Sequence, residues 1–162
     1  MRSPSFLGTS FIGALLRSLL VSLSMLGLAH AGDDRGTAAE AEAMVKRAVA
    51  YLKANGSEKA YDEFTKGKTF KDRDLFIIVY DLNGKCLAQG FNPKLIGKDL
   101  LGMKDPDGKL PIQMMVDLAK EQGKGWVTGY KFMNPVSQKM EEKALYLERV
   151  GDVFVGSGIH KG

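Results

Sequence analysis

Trp126 and Tyr130 stand four residues apart in Gly125-Trp126-Val127-Thr128-Gly129-Tyr130, inside a run that reads as a β-strand. Simple alternation places both on one face, together with Thr128 and Phe132. An indole N–H and a phenol O–H must be paired when buried, and a bound molecule or its water can supply the partner. Gly125 and Gly129 also let other groups approach the backbone. The pair is therefore either an aromatic wall for a small molecule or ordinary core, and Tyr80 on an earlier strand stands in the same position. A carboxylate ligand calls for a cation. Lys143, at the opening of a strand, is the first choice, against a solvated edge lysine. Arg73 is the second, because a guanidinium can grip a carboxylate with two parallel bonds; alternatively it balances Asp72 and Asp74.

Catalysis lacks its usual parts. Of two histidines, His30 falls in the leader described below, and His160 stands almost at the C-terminus. One His and the single Cys86 cannot assemble a His/Cys metal site. A hydrolytic triad needs His160 beside a nucleophile and an orienting acid, and no motif supports one. There is no Gly-rich phosphate loop and no Cys-x-x-Cys pair. Asp105 and Asp107 beside Gly108 look like the start of a calcium loop, without the later acidic positions. Cys86 reads as a small buried hydrophobe. These residues predict a binding protein with no metal, no cofactor and no enzymatic activity.

The elements that must position the candidates follow from periodicity and punctuation. Thr37-Ala38-Ala39-Glu40 is a capping box. Behind it Met44, Val45, Ala48, Val49 and Leu52 recur at helical spacing until Asn55-Gly56. A shorter helix is predicted over 58–64. Residues 75–81 are β-branched and aromatic on both faces, as in a central strand. Asn83-Gly84 is a tight turn into a partner strand over 85–89. A Gly-, Pro-, Asn- and Asp-rich connection over 90–108 leads to a helix over 111–122. Strands over 125–133, 143–150 and 153–160 complete the order. Sequential hairpins with segregated helices predict an α+β domain on an antiparallel sheet.

The chain has 162 residues, with 23 Lys and Arg against 19 Asp and Glu. Arg2, the apolar run 6–28 and Ala29-His30-Ala31 form a secretory leader with cleavage expected near Ala31, leaving one domain over 32–162. Arg17 within the run argues against a permanent span, although an uncleaved membrane anchor is the alternative. Removing Arg2 and Arg17 with the leader lowers the net charge from +4 to +2. So mild a charge, interleaved with acids, excludes nucleic acid as the expected partner. A periplasmic location is predicted. A lone cysteine leaves internal packing, not a disulfide, to stabilise the fold there.

Several stretches, in order and spacing, resemble the single Cache domains of bacterial extracytoplasmic sensing. They are Asp74-Leu75-Phe76-Ile77-Ile78-Val79-Tyr80-Asp81-Leu82-Asn83-Gly84, Asn92-Pro93-Lys94-Leu95-Ile96-Gly97-Lys98, and Asp107-Gly108-Lys109. Gly125-Trp126-Val127-Thr128-Gly129-Tyr130, Asn134-Pro135, Lys143 and Gly156-Ser157-Gly158-Ile159 follow. The resemblance covers 74–159. It implies a PAS-like sheet of about five strands behind a long N-terminal helix, with a small-ligand pocket against the sheet. Gln89 departs from the pattern, in which a His often follows Leu-Ala of the second strand. The family usually sits between two membrane helices of a chemoreceptor or kinase, whereas this sequence stops soon after its last strand. The expected partners are thus a small-molecule ligand, with a carboxylate as the expected class, and a membrane sensor protein. An accessory protein docking on such a sensor without its own ligand is the alternative. The N-terminal helix could also pair two copies into a homodimer.

Overall fold

The computed structural model describes residues 35–161; the expected leader lies outside the described residues. Among the described residues no helix is long and apolar enough to cross a membrane. Helix α1 (Ala38–Asn55) begins at Thr37, whose hydroxyl accepts from the Glu40 amide while the Glu40 carboxylate accepts from the Thr37 amide. That reciprocal pair satisfies two otherwise orphaned donors. Thr37→Ala is expected to cost about 1 kcal/mol. The urea midpoint should fall with an unchanged m-value.

Helix α2 (Ser57–Lys66) follows, then a two-stranded ribbon of β1 (Lys71–Asp72) and β2 (Leu75–Phe76). The main sheet contains β3 (Ile78–Asp81), β4 (Cys86–Gln89), β5 (Lys124–Met133), β6 (Met140–Val150) and β7 (Val153–Lys161). Helix α3 (Pro111–Glu121) lies between β4 and β5 in the chain. The sheet is antiparallel throughout, in the order β4-β3-β7-β6-β5. This is the expected α+β architecture of five strands behind a long N-terminal helix. The run read as one strand over 75–81 divides at Ile77, and its first half pairs with β1 instead of the main sheet.

Each face of the sheet has its own core. On one side α1 and α2 cover Val79, Ala88, Tyr146 and Val155, burying the predicted Met44, Val45, Ala48, Val49 and Leu52. On the other, α3 supplies Ile112, Met115, Val116 and Ala119 against Tyr80, Tyr130, Leu145 and Phe154. Cys86 is fully buried in this second core, and burial raises its thiol to about 11, so it behaves as the expected apolar filler.

The alternation expected along β5 fails at one point. Val127 pairs with Leu145 but Tyr130 pairs with Lys143, so three steps on β5 match two on β6. The extra residue is a β-bulge, and Gly129 within it has φ +78, a conformation that side chains rarely adopt. Parity therefore reverses. Trp126 falls on the α1 face beside Tyr146, with ring centroids 5.6 Å apart, while Tyr130 and Phe132 point to the α3 face.

Candidate ligand-binding site

Three of the five sequence candidates share one chamber on the α3 face. Tyr80, Tyr130 and Lys143 line it with Gln89, Phe76, Met115 and Phe132. Tyr80 comes from β3 and is held by stacking on Phe154 at 5.8 Å. Tyr130 arrives through the bulge, and Lys143 is its cross-strand partner on β6. The remaining two candidates are elsewhere. Trp126 is on the opposite side of the sheet, for the reason just given. Arg73 pairs with Glu40 at 2.7 Å and Asp72 at 2.9 Å and donates to the Arg35 carbonyl, outside the chamber. It fastens the start of α1 because two carboxylates and a carbonyl already surround its guanidinium.

Lys143 is only 3% exposed. Its Nζ lies 4.4 Å from the Phe76 ring centroid and 5.5 Å from that of Phe132, and it makes no hydrogen bond or ion pair among the described residues. Burial lowers its pKa to about 7, with the Asp74 carboxylate partly opposing. Gly158 on β7 leaves the stem room, since a Cβ there would come within 3.0 Å of Lys143 Cε. The Tyr130 hydroxyl is buried without a hydrogen-bond partner among the described residues. Its burial raises the phenol pKa well above the ordinary value, so it remains a donor. A cation and an O–H donor thus face one chamber with no acceptor assigned to either. An orphaned buried polar group costs roughly 1–3 kcal/mol, which an incoming acceptor recovers.

Gln89, the departure noted in the sequence, does line this chamber and is 1% exposed. Its Oε1 accepts from the Phe91 amide at 3.2 Å. The chamber itself is about 20 Å³, room for about one water. Beyond it lies a cavity of about 520 Å³, and Phe132 lines both spaces.

A second buried cluster escaped the sequence reading. Asp74 Oδ2 lies 3.1 Å from His160 Nδ1, and Asp74 Oδ1 accepts from the Gly36 amide at 2.5 Å. His160 is directly opposite Lys143 across β6 and β7, hence on the same face. Burial lowers the His160 pKa, the Lys143 charge adds to this, and Asp74 partly opposes it. For Asp74, burial pushes upward, but hydrogen bonds from His160 and Gly36 outweigh it and hold the carboxyl below its ordinary value. Only the strand register, which joins residues far apart in the chain, could have revealed this set.

Asp105, part of the imagined calcium loop, has another task. Its two oxygens accept from the backbone amides of Asp107, Lys109 and Lys131, tying the loop to β5. Among the described residues no group of three or more His, Cys, Asp and Glu side chains is arranged to hold a metal ion.

Comparison with known proteins identifies the family of the fold. The methyl-accepting chemotaxis protein McpP of Pseudomonas putida is 32% identical over 91 residues, 55% of this chain. The matched stretch spans only 16% of that protein. A methyl-accepting chemotaxis protein from Vibrio parahaemolyticus superposes with a TM-score of 0.64 at 26% identity, over 75% of this chain and 86% of that one. A Cache chemosensory domain, solved for its carboxylic acid recognition, gives a TM-score of 0.64 at 27% identity, over 76% and 92%. The model of the family described as single Cache domain 2 matches residues 23–160, and the chain belongs to that family.

Proposed function

We propose that this protein is a periplasmic sensory module that binds a small organic carboxylate on the α3 face of its sheet and leaves it chemically unchanged. The observation that carries the reading is Lys143, a buried amine facing a chamber with no acceptor assigned to it, beside the orphaned Tyr130 hydroxyl. An ammonium and a phenol O–H, both donors, suit a carboxylate's two oxygens. The likeness to a Cache domain solved for carboxylic acid recognition supports the same ligand class. Export through cleavage near Ala31 and hand-over of the signal to a chemoreceptor or sensor kinase complete the proposal.

The test is a calorimetric titration of the protein with short carboxylates. Lys143→Met should weaken binding by at least tenfold, since a hydrogen bond to a charged group contributes about 1.5–3 kcal/mol. Tyr130→Phe should weaken it less. Because the anion needs the ammonium form and the free lysine titrates near 7, affinity should fall by up to tenfold per pH unit above that value. Affinity that is level from pH 7 to 9 would remove Lys143 from the site. The small volume of the chamber, about 20 Å³, favours a second reading, an accessory protein that docks on a sensor without its own ligand. A metabolite screen with no stabilising compound, alongside capture of an envelope sensor, would favour that alternative.

A further inference from the structure

We infer that the ligand is a monocarboxylate with an apolar tail, its head at Lys143 and its tail in the outer cavity, with Phe132 as the wall that moves between them. The inference rests on the carboxylate reading above and deepens it. At about 20 Å³ the inner chamber cannot hold a carboxylate group with Phe132 where it stands. The ring is half-buried, one residue from the end of β5; it lines both spaces, and its centroid lies 5.5 Å from Lys143 Nζ. Turning it aside joins the two into one site.

The outer cavity, at about 520 Å³, falls within the usual range of ligand pockets. Phe91, Leu95, Met103, Met133 and Met140 supply most of its apolar wall. Met133 and Met140 are cross-strand partners at its rim and are 36% and 44% exposed, apolar surface that a tail would cover. Methionine side chains adapt to irregular guests. The polar groups of the wall are mostly engaged already. Asp105 accepts three amides, Lys131 Nζ pairs with Asp107 at 3.1 Å, and Asn92 Oδ1 accepts from the Lys94 amide. Lys104 remains at the exposed rim. A second charged or strongly hydrated group on the ligand would find only Lys104, at the solvent-exposed rim, to pair with, and an alkyl or phenyl group would find a matching wall.

The experiment is a titration series of acetate, butanoate, hexanoate and phenylacetate against the protein purified from full-length expression. Affinity should rise about fourfold for each methylene buried between acetate and hexanoate. Met103→Ser and, independently, Met140→Ser at the exposed rim should each narrow the preference for hexanoate over acetate severalfold. Hexanamide, which keeps the tail and loses the charge, should bind at least tenfold more weakly than hexanoate. A flat series, or acetate binding best, overturns the apolar-tail inference and leaves the carboxylate reading standing. Equal binding of hexanamide and hexanoate overturns the carboxylate reading. Absence of binding throughout removes both.

Discussion

Lys143→Met is expected to raise the melting temperature of the unliganded protein by several degrees. Wild-type folding takes an amine out of water and surrounds it with the Phe76 and Phe132 rings, without a hydrogen-bonded counter-ion. The two ring contacts return about 0.5–2 kcal/mol, less than the desolvation of an ammonium. Methionine has a similar length and no charge, so the net gain should be about 1–3 kcal/mol. The pH dependence gives the sign a second check. The folded lysine titrates near 7 and the unfolded one near 10.5, so between those values the unfolded state binds more protons. Wild-type stability should therefore climb as pH rises from 7 toward 10, by at most about 1.4 kcal/mol per pH unit. The variant should lack that slope, and its advantage should shrink in alkali. Thermal melts of both proteins from pH 6 to 10 make the measurement; a destabilised variant with the wild-type slope would mean that Lys143 has a stabilising partner.

Asp74→Ala should be the most damaging change among the site's neighbours, costing about 3–5 kcal/mol. The carboxylate has no exposed surface and holds both His160 in β7 and the Gly36 amide just before α1. Removing it leaves two buried donors without partners and unfastens the helix start from the sheet. Acid should act in two stages. The folded His160 pKa lies below its ordinary value of 6.5, so the unfolded state takes up the proton first and stability falls as pH drops below about 6.5. Asp74 is depressed below 3.8, so its contribution is present above that pH and is lost as pH falls through the lower folded value. His160 is faced by Asp74, by Lys143 and at longer range by Glu141, so all three accompany its titration. Denaturation midpoints from pH 8 to 3 should show both stages in wild type, with His160→Gln flattening the first. Unchanged stability between pH 7 and 5 would refute the role given to His160.

Local chemistry was largely legible. The capping box, the stop at Asn55-Gly56, the Asn83-Gly84 turn and the third helix each rest on contacts within a few residues, and each forms close to where the sequence places it. Arg73 shows where such reading runs short, because, of its two flanking acids, it meets Asp72 only, while Asp74 pairs with His160. Its second carboxylate, Glu40, comes from a distant helix.

From the chain alone, one can read an α+β domain with a long capped helix, the membership of Tyr80, Tyr130 and Lys143 in a candidate set, and the departure at Gln89. Tertiary structure decided which of those side chains meet. A single extra residue at Gly129 reverses every side chain beyond it, because strand parity has a period of two. That step carries Trp126 to the far face and brings Tyr130 to Lys143. The Asp74–His160 pair and the shared wall of Phe132 likewise depend on strand register and on the packing of α3, which are set by contacts across the whole fold and leave no short-range signature.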